Sequence, residues 1–311
     1  MADHSRTRNT SAPGGFAKAH AGASGAGDPI TSRDNKWLKM FRAALQGSGP
    51  RDGEPLGIEG PKLIEEAVRS GLGFEALLVS DAGERELDRI LRAAGETESG
   101  IPRSRILRTT DKLFGGVAGT ESPQGVAALV RPREWNFDDL LRGAATRNGA
   151  LAGASALIVV LAAIQDPGNV GTALRSAEAF RATGAIASRG TADPWSPKAL
   201  RASAGSALRL PLLRGMAIPV VLAQLRIAGV KVYAASARTK ADAAGRQSAA
   251  ADLREPSAIF IGSEGAGLPQ EVERAADARI SIPMSESVES LNAGVVASLL
   301  LYEAARQRKR F

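Results

Sequence analysis

The apolar positions of this chain change their spacing along its length, and the changes divide it into helices, strands and connections. Ile58-Glu59-Gly60-Pro61 opens a helical pattern that runs through Val68, and Phe74–Ser80, with Leu77-Leu78-Val79 in a row, reads as a strand. A helix over Leu87–Ala94 and strands over Arg105–Leu107 and Val126–Val130 continue the alternation, which predicts a small α/β domain of about 100 residues. Arg131–Ala154 carries Pro132, Asn136, Gly143 and Asn148-Gly149 and reads as a connection, with a short helix over Asp138–Arg142.

The longest apolar run, Ala150–Ile164, is continuous through Leu157-Ile158-Val159-Val160-Leu161 and stops at Gln165-Asp166-Pro167-Gly168-Asn169. A run without alternation marks a strand covered on both faces, and this one falls short of the roughly 20 residues needed to cross a bilayer. Helices are predicted over Val170–Thr183, Pro219–Ala228 and Glu289–Arg308. Strands are predicted over Leu157–Ile164, Gly184–Ser188, Lys231–Ala235, Ala258–Gly262 and Arg279–Pro283, with a Pro/Ser-rich stretch after Ser188. Strands separated by helices predict a mostly parallel sheet with crossovers.

Length and charge sharpen this picture. A chain of 311 residues is about twice the usual domain length. Residues 1–29 contain 17 Gly, Ala, Ser or Pro and one aromatic residue, too little apolar area to offset the entropy of ordering them, so they are expected to form a disordered tail. The tail lacks the apolar core of a secretion signal, which makes the cytoplasm the expected location. The net charge of +7 and a pI near 10.0 favour a polyanionic partner such as nucleic acid.

Cysteine is absent and the two histidines, His4 and His20, both fall in the tail. Thiolate chemistry, sulfur-held zinc, His-ligated metals and Ser-His-Asp hydrolysis therefore drop out, and no metal is expected. Any enzyme here works with carboxylates, amides, hydroxyls, Lys, Arg or a cofactor.

Three stretches near predicted strand ends cluster small and polar residues, where open parallel sheets bind ligands. In Asp166–Ala177, Asn169 lies near a helix cap, and Gly171 and Arg175 share a helical face; the helix N-terminus with Arg175 can hold an anion or a developing oxyanion. In Phe260–Leu268, Gly262, Gly265 and Gly267 let backbone approach a ligand, but in an order opposite to the dinucleotide fingerprint, which argues against a nicotinamide oxidoreductase. In the third, Ile282-Pro283-Met284-Ser285 precedes Glu289-Ser290-Leu291-Asn292 and an apolar closing helix.

Together these segments resemble the SpoU (TrmH-like) branch of the SPOUT RNA ribose methyltransferases, through Asn169-x-Gly171-x-x-x-Arg175, Gly262-Ser263-Glu264-Gly265, and Ile282-Pro283-Met284 with Ser290-Leu291-Asn292. The resemblance covers nearly all of the chain after the tail. It implies an α/β fold whose mostly parallel C-terminal sheet carries a deep trefoil knot, one of the rare exceptions to unknotted topology. The implied division is a tail at 1–29, an RNA substrate-binding domain at 30–132, a linker at 133–154 and a methyltransferase domain at 155–311. The N-terminal domain resembles ribosomal kink-turn binders through Ile58-Glu59-Gly60, Leu113-Phe114 and Ser122-Pro123-Gln124-Gly125-Val126, and its Lys36, Lys39, Arg42, Arg103, Arg105, Arg108 and Lys112 fit phosphate contacts.

The resemblance further implies that S-adenosylmethionine is held by Gly262, Ser263, Glu264, Gly265, Ile282, Pro283, Met284, Ser290, Leu291 and Asn292, and that Arg175, Asn169, Glu264, Ser290 and Asn292 form the catalytic set. The implied reaction is methyl transfer to a ribose 2′-hydroxyl of structured RNA, ribosomal RNA ahead of transfer RNA, by a homodimer in which the arginine of one subunit faces the cofactor of the other. A guanidinium, always protonated in proteins, is a poor base, so Arg175 is expected to stabilise alkoxide character. The proton would go to an RNA phosphate, to solvent or to an unusually depressed Arg175. The family commonly has Val and Ser where Ala293 and Gly294 stand, and a hydroxyl that would meet the cofactor or the neighbouring loop is expected to be lost with them. A binder with the same fold and no catalysis is the alternative, against which the retained Asn169, Arg175, Glu264 and Asn292 argue.

Overall fold

Strands with no polar face fold only where helices cover both sides, and the computed structural model of the chain meets that requirement throughout its second half. The structure describes residues 28–51, 53–95, 101, 103–143, 155–236, 246–247, 251–285 and 287–309. Residues 1–27 of the expected tail, residues 144–154 of the expected linker and the side chain of Arg103 lie outside that description.

The N-terminal part runs α1 (Lys36–Gln46), β1 (Leu56–Glu59), α2 (Pro61–Arg69), β2 (Gly73–Ser80), α3 (Glu84–Gly95), β3 (Ile106–Thr109), α4 (Asp111–Gly115) and β4 (Val126–Arg131). Its strands form a mixed sheet in the order β1-β4-β2-β3, with β4 antiparallel to both neighbours and β3 parallel to β2. Leu77, Val79, Val126 and Ala128 pack on the α2 and α3 side, while Ala76, Leu78, Ala127 and Leu129 pack on the α1 and α4 side.

After α5 (Phe137–Arg142) come β5 (Leu157–Ala162), α6 (Pro167–Ala179), β6 (Gly184–Ser188), α7 (Pro197–Ser203), α8 (Ser206–Arg209), β7 (Leu212–Met216), α9 (Ile218–Ile227), β8 (Lys231–Ala235), β9 (Arg246–Gln247), β10 (Ser257–Gly262), α10 (Gln270–Ala275), β11 (Ala278–Ser281) and α11 (Ala293–Gln307). The strands pair in the order β7-β6-β5-β10-β8-β11-β9, and every pairing is parallel. The alternation inside β5 shows why its sequence is uniformly apolar: Leu157, Val159 and Leu161 join the core beneath α6 and α11, and Ile158, Val160 and Ala162 join the core beneath α9.

Several elements differ from the sequence expectation. Ile58-Glu59 belongs to strand β1, and the helix begins only at Pro61, because Gly60 takes a φ of 92° and breaks the chain direction. Helix α1 was unforeseen; Leu38, Phe41 and Leu45 form its buried stripe and the Asn35 side chain accepts the Trp37 N–H as its cap. The Pro/Ser-rich stretch after Ser188 contains α7 and α8, separated by left-handed Ala204 and Gly205, and then β7. Helix α6 starts at Pro167 and ends at Ala179, helix α11 starts at Ala293, and β11 ends before Ile282-Pro283.

The two sheets are joined by a charged clamp. Arg209 donates through Nε and Nη2 to both Glu178 oxygens, at 2.6 and 2.7 Å, and through Nη1 to Glu66 of α2. Gly205 lies against the same glutamate: a Cβ there would sit 3.1 Å from the Glu66 Cβ. Burial pushes the Glu178 carboxyl up, but hydrogen bonds from Arg209 and Ser206 and the Arg209 charge outweigh it and hold the group below its ordinary value.

A depressed carboxyl contributes stability above its unfolded pKa and loses it as pH falls through the folded one. Glu178→Gln is therefore expected to cost about 2 kcal/mol at pH 7, where Arg209 loses a charged partner, and progressively less as the solution is acidified below the ordinary carboxylate pKa. Urea unfolding of both proteins across that range measures the gap; a gap that stays constant contradicts the assignment.

Candidate active site

A parallel sheet delivers the carboxyl ends of its strands to one edge. At that edge β5, β10 and β11 release three connections, Ala163–Asp166, Ser263–Pro269 and Ile282–Asn292. In the first, the Asp166 side chain caps α6 by accepting the Asn169 N–H at 2.9 Å, and its other oxygen receives Lys198 Nζ at 2.7 Å. Those hydrogen bonds, from Lys198 first and the Asn169 N–H next, hold the Asp166 carboxyl below its ordinary pKa. The cap is thus Asp166, and Asn169, which the sequence placed near the cap, is the third residue of the helix with its side chain free to reach across the edge.

In the second connection the chain doubles back on itself. The Gly267 N–H donates to the Ser263 carbonyl at 2.9 Å, the Ala266 N–H donates to Ser263 Oγ at 3.2 Å, and Gly267 has a φ of 68°. Gly262 lies so close beneath this turn that a Cβ would stand 2.4 Å from the Gly267 carbonyl. In the third, Asn292 caps α11, its Oδ1 accepting the Gly294 and Val295 N–H groups at 2.9 and 3.3 Å.

The three connections are tied to one another by side-chain amides. With Asn292 Oδ1 occupied by the helix, its Nδ2 donates to Asn169 Oδ1 at 2.7 Å; Asn169 Nδ2 then donates to Glu264 Oε1 at 2.8 Å, and the Ala293 N–H donates to the same oxygen at 2.9 Å. Each amide has its oxygen and nitrogen assigned by its partners, so neither can be flipped without losing bonds.

Beside this network a cleft opens between the ends of β8, β10 and β11 and helix α11. Ile261, Ile280, Leu291, Val296 and Leu300 give it apolar walls, and Ser236, Ser263 and Ser290 stand among them as hydroxyl groups. Of the sequence-predicted cofactor residues, Gly262, Ser263, Glu264, Ile282, Met284, Ser290 and Leu291 line this cleft; Gly265, Pro283 and Asn292 do not. Ala235, Ser236, Ile261, Gly267, Ile280, Ala293, Val296 and Leu300 line it without belonging to that cofactor set. Ser236 could have been found, since it follows an apolar strand end just as the other connections do.

Arg175 does not line the cleft of its own chain. It is exposed on α6 and makes no hydrogen bond or ion pair with a described residue. Helix α6 packs on α11, where Ser176 and Ser298 hydroxyls meet at 2.6 Å. Position 294 belongs to this packing: a Cβ there would stand 3.0 Å from the Thr172 Cβ, and Gly294 is absent from the cleft wall. The expectation that Gly294 removes a hydroxyl from the cofactor site is corrected by this geometry, since the position faces α6. On the outer side of α11, Val295, Leu299 and Tyr302 remain exposed along one helical stripe.

Of the basic residues assigned to phosphate contacts, Lys36, Lys39 and Arg42 lie on α1, Arg103 and Arg105 in the single turn before β3, Arg108 on edge strand β3 and Lys112 on α4. Lys36, Lys39, Arg105, Arg108 and Lys112 are exposed. Lys39 pairs with Asp34 at 3.2 Å and Arg108 with Glu84 at 2.8 Å, Arg105 donates to the Glu75 carbonyl at 3.3 Å, and half-buried Arg42 donates to the Gly116 carbonyl at 3.0 Å. Among the described residues there is no group of His, Cys, Asp and Glu able to hold a metal ion, and no helix is long and apolar enough to cross a membrane.

Comparison with known proteins gives two family matches: the SpoU rRNA methylase family over residues 156–302, and the MRM3-like substrate binding domain over residues 51–128. A relative in Bacillus subtilis, the 23S rRNA (guanosine(2553)-2′-O)-methyltransferase RlmP, is 30% identical over 245 residues, 79% of this chain and 86% of that protein. An uncharacterized tRNA/rRNA methyltransferase of Synechocystis is 30% identical over 90% of this chain and 94% of its own length. Among solved structures, the AdoMet-bound rRNA methyltransferase of Sinorhizobium meliloti superposes with a TM-score of 0.73 at 26% identity, covering 91% of this chain and 98% of that one.

The turn after β10 yields a paired expectation. Gly262→Ala must push the Gly267 backbone away and is expected to cost about 2 to 4 kcal/mol, whereas Gly265→Ala, with nothing within 4 Å of its Cβ, should stay within about 0.5 kcal/mol of the parent. Urea denaturation of the two variants decides it; equal losses would mean that Gly262 is not the closely packed position.

Proposed function

This chain belongs to the SpoU rRNA methylase family and is an RNA methyltransferase, and on that premise we propose that it transfers a methyl group from S-adenosylmethionine to a ribose 2′-hydroxyl of ribosomal RNA. The observation that carries the reading is the convergence of Asn169, Glu264 and Asn292 at the rim of an apolar cleft, with an uncommitted arginine on the helix whose first turn carries Asn169. The rRNA assignment draws on the named reaction of the Bacillus subtilis relative.

The cleft suits the cofactor. Its apolar walls fit a planar purine, and Ser236, Ser263 and Ser290 offer hydroxyls to a ribose or an amino-acid tail. When bound, S-adenosylmethionine supplies a methyl group already activated on a sulfonium. The protein then positions and polarises. Glu264 already accepts two N–H groups, so its part is to hold the rim together rather than to take a proton. Arg175 stabilises negative charge on the ribose oxygen, and the proton leaves to an RNA phosphate or to solvent.

Because Arg175 stands outside its own cleft, the proposal includes a homodimer in which each subunit lends Arg175 to the other. The exposed stripe of Val295, Leu299 and Tyr302, beside α6, is the surface that a second copy of this chain would cover. The family's trefoil knot belongs to the same proposal: β11 lies beyond β8, yet α11 returns to pack on α6, and Ala293 is bonded to the loop after β10. The N-terminal part is proposed as the RNA-binding domain, residues 30–132, of kink-turn-binder type, with Lys36, Lys39, Arg105, Arg108 and Lys112 offering phosphate contacts and Arg42 spent on Gly116. A 2′-O-methyltransferase of bacterial rRNA works in the cytoplasm.

Transcribed 16S rRNA, 23S rRNA and tRNA incubated with labelled S-adenosylmethionine test the substrate class, with label expected in rRNA. Arg175→Ala should lower the rate by at least about a hundredfold while calorimetric titration finds cofactor affinity unchanged within about twofold. Normal turnover by this variant contradicts the catalytic assignment, and failure of the parent protein to bind S-adenosylmethionine contradicts the enzyme itself.

A further inference from the structure

A second groove lies between the two sheets, where α2 and β1 of the N-terminal part face α7. Its walls include Gly60, Lys62, Leu63 and Gln124 on one side and Leu200 and Arg201 on the other. Four cations and three carboxylates line it, but they are not equivalent. Glu65 and Glu66 are engaged by Arg69, Arg89 and Arg209, and Glu59 accepts the Gly119 N–H at 2.7 Å together with the Thr120 hydroxyl. Lys62 and Arg201 are exposed, one on each wall, and neither side chain has a hydrogen bond or ion pair with a described residue.

The groove leads toward the catalytic edge. Lys198 and Arg201 are three residues apart on α7 and so are neighbours on its surface, and Lys198 is bonded to Asp166, the cap of the helix that carries Asn169. The clamp of Glu66, Arg209 and Glu178 ties α2, one wall of the groove, to α8 and α6 beside the other wall, so the two walls are joined within the fold.

We propose that this groove is where the RNA strand flanking the target nucleotide lies, with Lys62 and Arg201 contacting its phosphates from opposite walls. The inference rests on the RNA methyltransferase reading and adds the path by which the substrate crosses from the N-terminal domain to the catalytic edge. The occupant is a polyanion because the groove carries four cations against three carboxylates, the two uncommitted side chains are cations, and Glu65 and Glu66 are ion-paired within the protein, leaving Glu59 as the one carboxylate there held by neutral hydrogen-bond donors. The strand also spans both parts of the chain, as a structured RNA held by one domain and modified by the other must.

The test is the salt dependence of binding to transcribed 23S rRNA fragments by the full-length protein and by Lys62→Gln, Arg201→Gln and the double variant. A lost phosphate contact lowers the slope of log Kd against log salt by about 0.7 to 0.9, and two lost contacts lower it by about twice that. The expected result is that loss, with a raised RNA KM and unchanged affinity for S-adenosylmethionine. Lys62→Arg and Arg201→Lys, which keep the charge, should retain the parental slope. A double variant with the parental slope and Kd overturns the groove assignment, leaves the methyltransferase reading intact and points instead to a protein ligand. A parent protein that methylates no RNA removes both.

Discussion

One carboxylate oxygen fixes the arrangement on which the site depends. Glu264 Oε1 accepts from the side chain of Asn169, 95 residues earlier, and from the backbone of Ala293, 29 residues later, while Asn292 reaches back to Asn169. Drawing such distant segments together costs loop entropy that local contacts cannot repay, and the parallel sheet with α6 packed on α11 supplies the framework that does. The same bonds restrict the chemistry. A glutamate oxygen that anchors two connections serves the architecture of the rim, and the proposed chemistry therefore gives the electrostatic task to Arg175 and proton removal to the substrate's own surroundings.

Close approach is the second requirement, and two glycines meet it in different ways. Gly262 lets the turn after β10 fold down on the strand end, and Gly294 lets α11 approach Thr172 on α6. Neither position needs a positive φ; each needs the missing Cβ. The clamp of Glu66, Arg209 and Glu178 does comparable work between the sheets with charge in place of small size, so that the N-terminal part and the catalytic edge keep one relative placement.

The second sheet was legible because its strands are continuous apolar runs: Gly184–Ser188 and Lys231–Ala235 appear with the bounds their sequence predicts. Strand β1 was not, since Ile58-Glu59 ahead of Gly60-Pro61 read as the start of the helix that follows. Helix α1 was obscured because its buried stripe is only Leu38, Phe41 and Leu45, interspersed with basic and small residues, and α7, α8 and β7 by the Pro, Ser and Gly that cap and separate them. In the site, clustering of small and polar residues near strand ends pointed to Asn169, Glu264 and Asn292, but the bonds between them join residues too far apart in sequence for spacing to reveal. Lys62 and Arg201 were equally hidden, because only the folded chain shows which carboxylates are already satisfied.

The central claim, that a cleft in one subunit acts with Arg175 of another, is tested most directly by mixing two inactive variants. Arg175→Ala is combined with Leu291→Trp, whose indole would fill the cleft, and methylation of rRNA is measured after subunit exchange. If the site is shared, half of the randomly mixed dimers regain one intact site and about a quarter of the parental activity returns. If Arg175 serves the cleft of its own chain, every site in the mixture carries one lesion and no activity returns, which would contradict the account.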